Sequence, residues 1–209
     1  QCNKSIQKWI YNFAFNDTLN PLTKHRGDYE IKVFDSVEQL EKAIKNKSNN
    51  KKTQLSRIVA TYDWDYNGIK HKDDGYWTVD IPRDKPIWSK PWNYEIIGKK
   101  SDSISWAENP ITINEVGSIY TIQGFDLNYV GVIIGLSTYY KDGKVMHDAS
   151  ESRNDRAIRR RTLENGSMES FAEKFLRHEL GVLLTRGVNG LYIYACDDEL
   201  RKALQQASK

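Results

Sequence analysis

Seven residues, Tyr129-Val-Gly-Val-Ile-Ile-Gly135, run apolar with no polar residue at every second place. A strand with one wet face alternates; a strand without alternation is covered on both faces, the condition of a parallel sheet between helix layers. Leu191–Ala195 and Ser56–Tyr62 have the same character. Helical stripes stand between them. Ile6, Trp9, Ile10, Phe13 and Phe15 predict a helix over 3–15. Residues 29–34 read as a strand. Ser36-Val-Glu-Gln39 resembles a capping box opening a helix with Val37, Leu40, Ala43 and Ile44 on one side. Further strands are expected at Val116–Thr121, and further helices over 167–185 and over 197–206 behind the N-cap Asp197. Strands alternating with helices predict an α/β fold around a mostly parallel sheet. Such sheets bind ligands beyond their carboxyl ends, so the segments that follow strands are the first places to search.

Two stretches break the pattern. Residues 63–115 hold five of the six tryptophans and four of the five prolines. They read as an irregular insertion pinned by aromatic anchors, with Tyr76–Ile81 as one strand of a hairpin. Residues 136–166 read as a polar excursion. The whole of 1–209 reads as a single domain with 63–115 as an insertion within it, and as a piece of a longer chain, since the sequence begins at Gln1 rather than Met.

The balance of 31 Lys+Arg against 28 Asp+Glu excludes a basic tail or an acidic disordered chain. Two cysteines far apart form neither a disulfide framework nor a zinc site. Their expected state is a free thiol in a reducing, cytoplasmic setting. No apolar run is long enough to span a membrane, and no signal-peptide pattern opens the chain. A phosphate-binding Gly-x-x-x-x-Gly-Lys-Ser/Thr loop is absent, so the chain is not a self-sufficient P-loop ATPase. His25, His71, His147 and His178 are scattered, and no metal site is expected from them. Asp63, Asp65, Asp73, Asp74 and Asp80 offer a Mg²⁺-nuclease reading, against the commoner one of an acidic loop beyond a strand.

Two segments carry more. In the first, Val116–Gly135, a polar Gln123-Gly-Phe-Asp126 turn stands at a strand end and Gly124 permits tight backbone geometry. In the second, Gly181–Tyr194, Thr185-Arg186-Gly187 closes a helix before a buried strand. An arginine between Leu184 and Val188 needs an anionic partner, either a ligand or an internal carboxylate. A third segment, 153–161, packs Arg153, Arg156, Arg159, Arg160 and Arg161 into nine residues, which suits either a solvated face or a phosphate-tracking patch.

Gln123-Gly-x-Asp126 followed by Tyr129-Val130, together with Val182-Leu-Leu-Thr-Arg186, resembles motifs V and VI of superfamily 1 helicases. The spelling is closest to the bacterial Schlafen group 3-like DNA/RNA helicase family. The resemblance takes in Ser56-Arg-Ile-Val-Ala60, Trp64-Asp65, Trp92-Asn93 and Gln1-Cys2-Asn3, so it spans nearly the whole chain. It implies the second RecA-like lobe, a doubly wound parallel sheet of P-loop NTPase type without the loop. On this resemblance ATP and Mg²⁺ lie against a first lobe elsewhere in the full chain, with Arg186 as arginine finger. Asp126 contacts the ribose, and Gln123, Gly124 and Thr185 line the nucleotide. Ser118, Tyr120 and Thr121 contact single-stranded DNA or RNA, and Arg153, Arg156, Arg159 and Arg160 are further candidates for it. Tyr120 stands where relatives carry His, and Gln1 where they carry Arg. The alternative is a non-catalytic module of the same fold that binds nucleic acid or docks a partner.

Overall fold

The computed structural model describes residues 4–22, 27–67, 75–93, 104–164 and 166–209. Gln1-Cys2-Asn3, His25, His71, Asp73 and Asp74 lie outside them. The elements run α1 (Lys4–Phe15), β1 (Glu30–Val33), α2 (Val37–Ser48), β2 (Arg57–Ala60), β3 (Thr78–Ile81), β4 (Trp88–Pro91). A 3₁₀ turn (Pro110–Asn114) leads to β5 (Val116–Gly117), β6 (Leu127–Ile134), β7 (Thr138–Lys141), β8 (Lys144–His147) and α3 (Asp155–Ile158). The chain closes with β9 (Arg161–Thr162), β10 (Met168–Glu169), α4 (Ala172–Leu184), β11 (Gly187–Ala195) and α5 (Asp198–Ala207).

The central sheet is β1-β11-β6-β2-β5, parallel throughout. It is flanked by helices as the unalternating runs require, and it matches a RecA-like arrangement. Val130, Val132 and Ile134 of β6 and Leu191, Ile193 and Ala195 of β11 join one core with α1, α4 and α5. Their neighbours Ile133, Tyr192 and Tyr194 join a second core with Val37, Leu40 and Ile44 of α2. Gly131 lets α2 lie close, since a Cβ there would meet Ile44 at 2.8 Å. Burying each large side chain of α1, Ile6, Trp9, Ile10 and Phe13, is worth roughly 1.5–3 kcal/mol.

The expected hairpin is present: β3 pairs antiparallel with β4, and Trp64, Trp88 and Trp92 are buried with α2 and β2 in the second core. Trp88 Nε1–H donates to Glu41 Oε2 (2.7 Å), fixing the hairpin to α2. Trp106 belongs to the first core instead.

Three expectations are corrected. The strand predicted over Val116–Thr121 stops at Gly117. There the Thr121 hydroxyl accepts the Ser118 N–H (2.8 Å) and donates to Ser118 O (2.9 Å), so side chains take over the bonds of the ladder. The polar excursion contains a β7–β8 hairpin, turned at Asp142 (φ 51) and Gly143 (φ 80). The helix predicted from Ser167 begins at Ala172, because Met168–Glu169 pairs with Arg161–Thr162.

At the start of α2, Ser36 Oγ accepts the Gln39 N–H (3.3 Å). Replacing Ser36 with Ala should cost about 1 kcal/mol and lower Tm by ~2–4 °C, readable by calorimetry.

Candidate functional site

Arg186 is the last residue before β11, and Asp126 the last before β6. The two strands are neighbours, and Leu127 N–H donates to Arg186 O (2.8 Å), which locks the two segments together. The site is therefore at the amino ends of β6 and β11. This corrects the expectation that the turn follows a strand on the ligand-binding side. Val116 pairs with Ile58 and Ile58 with Gly131, so β5 ends beside the middle of β6. Residues 118–126 carry the chain back along the sheet to its opposite edge. Gly124 makes that return with φ 84, a conformation that favours glycine.

Arg186 is held but not consumed. Its Nε–H donates to Val182 O (3.1 Å) at the end of α4, and Nη1 stands 3.7 Å from Asp126 Oδ1. The Arg186 side chain is 26% exposed and that of Asp126 67%. The anionic partner that the sequence demanded is thus a loose, wet carboxylate, an ion pair worth about 0–1 kcal/mol. Such a pair leaves the guanidinium able to take a second anion. Gln123 and Gly124 are exposed on the same turn. The Thr185 hydroxyl donates to Gly181 O (2.8 Å) and Val182 O (3.1 Å), so it closes the helix while its residue stays exposed.

The buried arginine is a different one. Arg57, 2% exposed, opens β2. Its donors reach Thr112 Oγ1 (2.9 Å), Gln54 O (2.9 Å), Ser56 O (2.9 Å) and Asn109 O (3.0 Å), and burial lowers its pKa to about 10. Neutral oxygens satisfy its fork, and it ties the sheet to the 3₁₀ turn.

The predicted strand contacts divide. Ser118 and Thr121 are buried, and Ser118 Oγ–H also donates to Asn93 Oδ1 (2.8 Å). Tyr120 is 44% exposed, with its hydroxyl donating to Asn154 Oδ1 (3.1 Å). Its ring meets Tyr62 edge-on at 5.6 Å, and Tyr62 follows β2 at the carboxyl edge of the sheet. Arg153 pairs with Asp65 (3.2 Å), and Arg161 lies over the Phe175 ring (4.9 Å).

Sequence reading missed a polar hub at this edge. Tyr62 N–H donates to Glu179 Oε1 (3.2 Å) of α4, and Tyr62 O accepts the Arg153 N–H (2.8 Å). Asp63 Oδ2 accepts the Ser137 N–H (2.8 Å). Burial pushes Asp63 up to about 6; burial and then the Asp63 charge push Glu179 up to about 8. No local sequence signal marks such a pair, since Tyr62 and Glu179 are 117 residues apart. The acidic loop does not converge: Asp63 faces Ser137, Asp65 faces Arg153, and Asp80 holds Thr78 and Ser89. Among the described residues no group of three or more His, Cys, Asp or Glu stands together as a metal site. No helix among them is long and apolar enough to cross a membrane. Cys196 is a free thiol that burial pushes up to about 12.

The fold thus sets a Thr-Arg helix end beside a Gln-Gly-x-Asp turn at one edge of a parallel α/β sheet. Residues 1–197 match the family model described as Schlafen group 3, DNA/RNA helicase domain. The chain belongs to that family, and its role is helicase-related. It is also 36% identical over 221 residues to an uncharacterized protein of Saccharomyces cerevisiae, covering 99% of this chain and 46% of the relative. The chain thus spans about half the length of the curated relative it matches. No solved structure matches it.

Proposed function

We propose that this chain is the second motor lobe of a superfamily 1, nucleic-acid-dependent ATPase. The observation that carries the reading is the loose Arg186–Asp126 pair at the joined ends of α4, β6 and β11. A finger must be aimed yet free: Nε is anchored on Val182 O while the Nη groups remain available to a phosphate. ATP brings the phosphoanhydride to be cleaved, and Mg²⁺ is expected on the first lobe with the phosphate loop. In this reading Arg186 neutralises charge developing on the transferred phosphoryl group. Asp126 turns to the ribose, and Gln123, Gly124 and Thr185 line the same cleft. The Ser118–Thr121 turn meets the backbone of single-stranded DNA or RNA through its exposed face. The expected compartment is the cytoplasm.

The test is ATP turnover by the full-length protein and by residues 1–209, each with and without single-stranded DNA or RNA. Expected is turnover stimulated by the strand in the full-length protein and none in the isolated chain. Turnover by the isolated chain would refute the division of labour.

A further inference from the structure

The arginines of this fold fall into two groups. Outside 153–161, every described arginine bonds a carboxylate or a carbonyl: Arg57, Arg83, Arg177, Arg186 and Arg201. Within it, Arg153 is taken by Asp65 and Arg161 by the Phe175 ring. Arg156, Arg159 and Arg160 are exposed, and among the described residues no carboxylate, carbonyl or ring holds them. Three unneutralised guanidinium groups within five residues repel one another, a cost that polyanion binding removes.

The segment is also fastened beside an exposed ring. Asn154 precedes α3, yet its side chain makes no cap bond to that helix. Its oxygen instead accepts the Tyr120 hydroxyl (3.1 Å), and its own N–H donates to Ser152 Oγ (3.3 Å). Tyr120 is steadied on its edge by Tyr62 and remains 44% exposed. Beyond the arginines, Arg161 fastens the other end to α4. A positively charged run beside a fixed, half-open aromatic ring is the combination that holds unpaired strands: phosphates follow the cations and a base stacks on the ring. A duplex keeps its bases stacked inside and offers the ring nothing.

We propose that Tyr120 and Arg156, Arg159 and Arg160 form a track for single-stranded nucleic acid, with a base stacked on Tyr120 and the backbone on the arginines. This rests on the nucleic-acid reading above and adds the stacking residue and the path. The track leads toward the nucleotide edge by two routes. Residues 118–126 run from Tyr120 to Asp126, and α4 runs from the Arg161–Phe175 contact to Arg186.

The test is fluorescence anisotropy with the full-length protein, a labelled 20-nucleotide single strand as RNA and as DNA, and the matching duplexes, across a salt series. Tyr120→Ala should weaken single-strand binding roughly 5- to 150-fold and leave duplex binding unchanged. Tyr120→Phe, which keeps the ring and loses only the bond to Asn154, should bind within about twofold of wild type. Arg156→Gln, Arg159→Gln and Arg160→Gln combined should lower the slope of log affinity against log salt by about 2, at ~0.7 per phosphate contact on a single strand. Unchanged affinity and slope overturn the track and leave the arginines to an acidic protein partner. Equal losses on strand and duplex by Tyr120→Ala also overturn it. ATPase activity that a strand still stimulates in those variants would show that the motor reading survives the loss of the track.

Discussion

Arg186→Ala in the full-length protein is expected to lower strand-stimulated ATP turnover by ~10³–10⁵ while strand affinity stays within twofold. The size follows from what the side chain does. In the ground state it makes only a helix-end bond and a 3.7 Å pair with an exposed carboxylate, so its removal costs little stability. In the proposed role its contribution arises when charge builds on the phosphoryl oxygens, and that contribution goes with the guanidinium. Arg186→Lys should recover little, because an ammonium cannot both donate to Val182 O from the Nε position and present a planar fork to phosphate. Asp126→Asn is the control: it removes the loose pair yet leaves the finger in place, so kcat should persist while the KM for ATP rises. Turnover indifferent to Arg186 would favour the alternative of a non-catalytic module that binds nucleic acid or docks a partner.

What the sequence revealed and what it hid follow one physical division. Periodicity reports the environment of a whole element. The runs at 129–135 and 191–195 therefore predicted their strands, and the Ser36 and Asp197 caps opened their helices as expected. Side-chain competition is decided atom by atom. Val-Gly-Ser-Ile-Tyr-Thr over 116–121 has strand composition, yet the Ser118 and Thr121 hydroxyls bond the backbone locally and end the strand after two residues. The β7–β8 hairpin had a legible signal in Asp142-Gly143, the pair that favours positive φ at both places of a tight turn. It was obscured by the polar composition around it. The site shows the same division. Motif spelling singled out Asp126 and Arg186, and each was read as lying just before a strand, as it does. What it could not give is that residues 118–126 run back along the sheet and so bring Asp126 beside Arg186 at one edge. The buried hub of Tyr62, Asp63, Ser137 and Glu179 has no local pattern at all, because it joins three distant segments.

That hub carries the largest expected pH effect. The stability of the folded chain should fall as pH rises from about 5 to about 8, and Glu179→Gln should flatten the fall. The sign follows from proton counting. Glu179 has an ordinary value of 4.5 and is raised to about 8 by burial and by the Asp63 charge. Between those values the folded state holds a proton that the unfolded chain releases, so raising pH favours unfolding. Below 4.5 both states are protonated and the penalty vanishes. Each pKa unit is worth about 1.4 kcal/mol, so the Glu179 contribution across the window is about 4 kcal/mol. Asp63, raised by burial from 3.8 to about 6, adds to the same slope in its lower part. Glu30 and Glu41 act elsewhere. Burial opposes their ionisation, but hydrogen bonds from Lys47 and Lys32 to Glu30, and from Lys45 and Lys90 to Glu41, hold both at about 2. Their stabilisation is lost only as pH falls from about 4.5 toward 2. Glutamine at 179 keeps an oxygen for the Tyr62 N–H and cannot ionise. Urea unfolding at pH 5, 6.5 and 8 reads the difference: the variant should equal wild type or fall slightly below it at pH 5, and exceed it by several kcal/mol at pH 8. Parallel profiles would mean that Glu179 reaches water or a cation when it ionises. The consequence reaches the function, since the Tyr62 peptide held by Glu179 also holds Arg153, where the arginine segment begins. Glu179 thus stands at the joint between α4, which leads to the proposed finger, and the segment proposed to carry the strand, and its ionisation costs stability through burial of the charge rather than through loss of the Tyr62 bond.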